Sequence, residues 1–183
     1  LGVSAIRTGR ESAAAATFVD SKSVQSGITG GIAFNTDGTK MFVANVANDD
    51  VDEYTLSTGF DVSTASYDSN FSVASQDGGP QGIAFNTDGT KMFIAGKVNG
   101  KVYEYTLSTG FDVSTASFVG ALDVSSQDSA PKAVNFNNDG TKVFILGTAN
   151  KQVFEYTLDT PFSLINVNNE HSGDVIDTSS ATN

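Results

Sequence analysis

Apolar and polar positions along this chain fall into short blocks, with no convincing helical period in any window. GIAF at 31–34 is followed by the polar stretch NTDGT and then by KMFVAN at 40–45. A second polar stretch, VANDD, leads into VDEYTL at 51–56. Apolar runs of this length, bounded by turn residues, predict β-strands. Asp37-Gly38 between the first two runs predicts a tight hairpin, because glycine accepts the positive φ that such a turn needs. Met41 and Phe42 point to opposite sides of their strand and are both apolar, so the strand should be covered on both faces. STGFDVSTAS at 57–66 reads as a longer connection, rich in residues that bond their own backbone. A weaker fourth strand is expected in NFSVASQD, at about 68–76. ESAAAA near the start allows one turn of helix.

The blocks recur. Asp37-Gly38, Asp88-Gly89 and Asp139-Gly140 share one spacing, 88 − 37 = 139 − 88 = 51, and Tyr54, Tyr105 and Tyr156 keep it. Residues 31–66 and 82–117 differ only at 43, 45, 46, 47, 49, 50 and 52. All but position 43 lie between the end of the second run and the middle of the third. Four short antiparallel strands in about fifty residues describe one propeller blade. The expected fold is therefore all-β, a β-propeller-type array of about three four-stranded antiparallel blades, open to completion by self-association. The expected organisation is an N-terminal extension (1–14), a repeat domain (15–167, with blades at about 15–66, 67–117 and 118–167) and a polar tail (168–183). A second outer strand is expected at about 118–125. TFVDSKSVQ, ahead of the first triplet, is a further outer-strand candidate, and FSLINVN would close the third blade.

The phrase PQGIAFNTDGTKMFIAG, followed by VYEYTLST, resembles the β-propeller repeats of the YVTN and NHL-like group. The resemblance covers roughly residues 15–167. It implies that GIAF is the innermost strand, and it implies a fold, since such blades serve many functions. Two departures stand out. Thr29 replaces Pro80 and Pro131, and DTPFSLINVN replaces STGFDVSTAS in the third unit. Closed propellers usually have four or more blades. Three blades leave apolar sheet faces open, so the chain should self-associate, as two chains in a six-bladed ring for example, or pack on a larger protein assembly.

Charge narrows the partners. With 21 acidic and 10 basic residues the net charge is −11, which disfavours nucleic acid and anionic membrane surfaces. There is no cysteine, which excludes disulfides and thiolate-bound metals. No apolar run approaches the roughly 20 residues that span a bilayer, and the first residues show no signal-peptide pattern.

Candidate chemistry is sparse. His171 stands alone in the polar tail, without the oriented partners of a triad. The acidic run Asp49, Asp50, Asp52 is the one metal candidate, and calcium the one cofactor it could take. It departs from the other two units, which have NGKVYE and NKQVFE there. Asp37, Asp88 and Asp139, with Gly38, Gly89 and Gly140, read as structural turn residues. Lys40, Lys91 and Lys142 are placed to pair with Glu53, Glu104 and Glu155 across neighbouring strands. The three repeated tyrosines suit packing between blades. These residues lead to the expectation of a non-enzymatic structural or interaction module without catalytic residues, exposed at a surface: a virion decoration or fibre component, or a secreted or cell-surface adhesin-like protein. A carbohydrate- or cation-binding propeller is the second reading, and a lactonase-like hydrolase the third.

Overall fold

The computed structural model describes residues 16–165, apart from 26 and 28. Three antiparallel sheets follow one another along the chain. The first holds β1 (Thr29–Phe34), β2 (Lys40–Asn45), β3 (Asp50–Leu56) and β4 (Ala65–Ser72) in that spatial order. The second repeats it with β5 (Pro80–Phe85), β6 (Lys91–Gly96), β7 (Lys101–Leu107) and β8 (Ala116–Asp123). The third has β9 (Pro131–Phe136), β10 (Lys142–Gly147) and β11 (Val153–Thr157).

Local chemistry explains each sheet. In the first hairpin Gly38 takes φ 73° and Asp37 Oδ1 accepts from both N–H and Oγ1–H of Thr39, at 3.0 and 2.6 Å. The same bonds form at Asp88 and Asp139. A 3-10 turn at Val62–Thr64, capped by the Asp61 carboxylate on the Ser63 N–H, then delivers the chain to β4. The outer strands therefore begin at Ala65 and Ala116, a few residues ahead of the sequence expectation. The apolar content of NFSVASQD drew that expectation late, whereas the turn sets the start. Residues 17–25 make no strand pairing, the described part of FSLINVN is turn, and most of ESAAAA lies outside the described residues. Among the described residues the third sheet thus has three strands rather than four.

The sheets stack face to face. Phe42 and Val51 of the first meet Ile83, Met92, Ile94 and Tyr105 of the second. Phe93 and Val102 of the second meet Val134, Val143 and Ile145 of the third. Along the inner edge the backbones of β1, β5 and β9 nearly touch. A methyl group on Gly82 would lie 2.7 Å from the Ala133 Cα and 2.9 Å from the Lys132 carbonyl oxygen. Both obstacles are backbone, so Gly82→Ala should destabilise the protein by about 1–3 kcal/mol through overpacking. Urea denaturation measures this, and an unchanged midpoint would mean the inner strands are not in contact.

A polar contact locks each junction. Lys40 Nζ donates to Glu53 and, across the junction, to the Phe111 carbonyl at 2.8 Å, while Glu53 Oε2 accepts the Val113 N–H at 2.8 Å. Lys91 and Glu104 repeat this on the Phe162 carbonyl and the Leu164 N–H, at 2.8 and 2.7 Å. The two glutamates are 1% exposed, so these bonds satisfy charges that burial would otherwise penalise. In the third sheet Lys142 and Glu155 pair in the same way but are 44% and 51% exposed.

Candidate functional site

The inner strands line a cleft of about 280 Å³ bounded by Gly31, Ile32, Gln81, Gly82, Lys132 and Asn135. One register position supplies its polar mouth. Offset by 51 residues, that position reads Gly30, Gln81 and Lys132. Lys132 Nζ donates to Gln81 Oε1, while Gln81 is 7% exposed and the lysine stays open to solvent. A second position reads Ala33, Ala84 and Asn135. The cleft therefore gathers an ammonium and two carboxamides, a donor set suited to a carbonyl or carboxylate oxygen. It continues into a wider space of about 560 Å³ lined by Phe85, Phe136, Asn137 and Phe162. Sequence comparison missed Gln81 and Lys132 because the near-identical block begins one residue later, at 31 and 82. The available signal was variation at an inner-strand position within an otherwise constant unit.

The sequence candidates lie elsewhere. Asp50 and Asp52 sit on β3, whose first residue pairs with Asn45, which in turn pairs with Thr29 on β1. Two strand spacings put Asp50 about 10 Å from the inner strand. Asn70 Nδ2 donates to Asp50 Oδ2 at 2.8 Å and Asn45 Nδ2 to Asp52 Oδ2 at 3.0 Å. Asp50 Oδ1 is buried without a hydrogen-bond partner. Asp49 occupies the turn with φ 54°. No group of three or more His, Cys, Asp or Glu side chains converges among the described residues. His171 lies outside the described residues.

Asn45 has a structural task that the repeat explains. In the second and third sheets, buried Asp77 and Asp128 accept the loop amides of Val98 and Asn99, and of Ala149 and Asn150. Gly96 and Gly147 make room, since a methyl there would lie 2.6 and 2.2 Å from those carboxyl groups. In the first unit Ser26 stands in sequence where the others have aspartate, and Asn45 Oδ1 itself accepts from Ala47 and Asn48.

Burial raises the pKa of both Asp50 and Asp52, and the charge of Asp52 adds to the effect on Asp50. A carboxyl raised on folding is favourable when protonated, so the contribution of this pair is lost as pH rises through the raised values. Asp37, Asp88 and Asp139 oppose it. Their bonds from threonine hydroxyls and amides lower the pKa, giving stability that is lost as pH falls below the ordinary carboxylate range. Asp50→Asn should therefore raise Tm by a few degrees at neutral pH and have no effect in acid, where Asp50 is already neutral. Melting curves across pH test this, and a pH-independent shift would contradict it.

Solved structures similar to this chain establish the architecture. A protein assigned as a 6-phosphogluconolactonase from Bacteroides uniformis matches with a TM-score of 0.56 at 12% identity, over 72% of this chain and 37% of its own. A luciferin-regenerating enzyme matches with a TM-score of 0.51 at 19% identity, over 73% and 40%. The β-propeller domain of Cps50 (Swd1) from Myceliophteria thermophila matches with a TM-score of 0.54 at 13% identity, over 75% and 40%. This chain thus spans 37–40% of the length of these structures. No family profile matches it, and no curated protein does.

At such identities the likeness shows the fold, an array of β-propeller blades. It also corrects the expectation of a non-enzymatic surface module, whether virion decoration, fibre component or adhesin. Two of the structures just described are named as enzymes. The expectation rested on finding no catalytic set among the repeated residues. A single site on a ring axis draws a different residue from each blade, so the repeated positions are the wrong place to look.

Proposed function

We propose that this chain supplies three blades of a lactonase-like propeller hydrolase, which opens small lactones in the cleft at the inner strands. The observation that carries the reading is the replacement series Gly30, Gln81, Lys132, which puts a cation and a carboxamide at the mouth of that cleft. The blade's likeness to a lactonase-type scaffold adds to it. Within propellers we read the unit as YVTN/NHL-like, on its Pro-x-Gly-Ile-Ala-type opening.

The chemistry follows from the donor set. Water adds to the lactone carbonyl carbon, and negative charge develops on the carbonyl oxygen. The Lys132 ammonium and the Gln81 and Asn135 carboxamides are the groups that would stabilise it. The ring C–O bond then breaks, the alkoxide takes up a proton, and a hydroxy acid leaves. β1, β5 and β9 carry no carboxylate or imidazole, so deprotonation of the water falls to a group off these strands.

Lys132→Ala should lower kcat/KM for lactone hydrolysis by about 100- to 1,000-fold, the usual scale for losing one donor to a developing oxyanion. The assay compares parent and variant on a panel of five- and six-membered lactones. A parent protein that hydrolyses none of them would overturn the reading.

A further inference from the structure

We infer that the outer face of the third blade docks the first blade of a second copy of this chain, and that residues 16–22 of that copy add the missing strand to its sheet. This inference does not rest on the hydrolase reading.

The first observation is a face prepared for a neighbour. In blade 1 the side chains of Phe42, Ala44, Val51 and Glu53 face the next blade and are at most 1% exposed. Their counterparts in blade 2, Phe93, Ala95, Val102 and Glu104, are equally buried. In blade 3 the same positions hold Phe144, Leu146, Val153 and Glu155, with Leu146 40% and Val153 65% exposed. The Lys142–Glu155 pair stands ready on that face. In both internal junctions this pair grips a corner of fixed form, a phenylalanine carbonyl and the N–H two residues later.

The second observation is the matching corner. Blade 1 carries it at Phe60–Val62. Phe60 has φ 61° against 58° for Phe111, its N–H donates to Gly38 as that of Phe111 does to Gly89, and Asp61 caps the same 3-10 turn as Asp112. Among the described residues no Lys–Glu pair of the same chain grips it, and Phe60 is 61% exposed.

The third observation is a spare strand. ATFVDSKSVQ at 16–25 reads like the outer-strand stretch ASFVGALDVSSQ at 116–127 with two residues removed. Val24 packs on the blade 1 core as Val73 packs on that of blade 2 and Val124 on that of blade 3. The Gln25 N–H donates to the Tyr54 hydroxyl, as the Tyr105 hydroxyl bonds the Gln76 side chain. Residues 16–25 thus lie against blade 1 as the outer strand of a preceding blade does. They pair with no strand, and Phe18 and Val19 are 80% and 90% exposed. Among the described residues, blade 3 is the one sheet with an open place beyond its third strand.

The exposed face of blade 3 and the exposed corner of blade 1 are complementary, so two copies joined head to tail around a twofold axis close a six-bladed ring. Met41, Val43 and Tyr54 on the leading face of blade 1 are already 2–5% exposed within one chain. Val24, Phe34 and Val62 pack against them, so docking adds burial chiefly at Leu146, Val153 and Phe144.

The chain has no cysteine, so an introduced pair reports cleanly. By the register of Ser117 with Thr106, Thr17 should face Thr157 of the other copy. Antiparallel partners fall within disulfide reach. Oxidised Thr17→Cys/Thr157→Cys protein should run as a covalent dimer on non-reducing gels, and either single variant should not. Glu155→Arg should shift the parent from dimer to monomer in light scattering, with its circular dichroism spectrum unchanged. A double-cysteine variant that stays monomeric, or a dimer indifferent to Glu155→Arg, would overturn the inference.

Discussion

Glu104→Ala should lower the free energy of unfolding by about 3–5 kcal/mol, the cost of breaking a buried ion pair by removing one partner. Its carboxylate is 1% exposed, holds Lys91 at 2.7 Å and accepts the Leu164 N–H from the next blade. Removal leaves an ammonium half-satisfied and an amide without its acceptor. Glu155→Ala removes the equivalent carboxylate from blade 3, where it is half exposed and, among the described residues, pairs with Lys142 alone. In the single chain it should cost at most about 1 kcal/mol. Denaturant titration of both variants, at a concentration low enough to keep the chain monomeric, makes the comparison. Equal losses would show that the junction contact adds nothing to the pair.

Phe93→Ala should cost a similar amount, about 3–5 kcal/mol, through lost burial and the cavity it leaves. The Phe93 ring is fully buried, 4.4 Å from that of Phe136 in the next blade, and Phe136 in turn lies 5.3 Å from Phe162. Phe42, Phe85 and Phe111 form the same chain of rings one junction earlier. Phe144 occupies the equivalent position in blade 3 and is half-buried. Phe144→Ala should therefore be the milder change in the monomer. Calorimetry on the pair tests whether the cost follows the junction or the residue type.

These junctions mark where the sequence was and was not legible. Asp37-Gly38 between two apolar runs specifies its hairpin locally, so strands β1 and β2 could be read directly. The pairing of Lys40 with Glu53 was also accessible, since both recur and both face one side of neighbouring strands. Their cross-blade partners were not, because the Phe111 carbonyl and the Val113 N–H are backbone groups that no residue letter identifies. The exchange of Asp77 with Gly96 for Ser26 with Asn45 was hidden for a related reason. One oxygen is supplied from two places in the chain, and only the fold brings them together. At the cleft, Gln81 and Lys132 were overlooked because attention to what repeats passes over the position that varies. The acidic run at 49–52 was visible as charge. Its burial, and the amide partners from Asn45 and Asn70, depend on β2 and β4 lying on either side.

The three blades end on a face keyed for a further blade. Sedimentation velocity of the unmodified chain over a wide concentration range tests it most directly. A species of twice the chain mass that dissociates on dilution is the expected result. A stable monomer at every concentration, with Leu146 and Val153 still exposed, would contradict it.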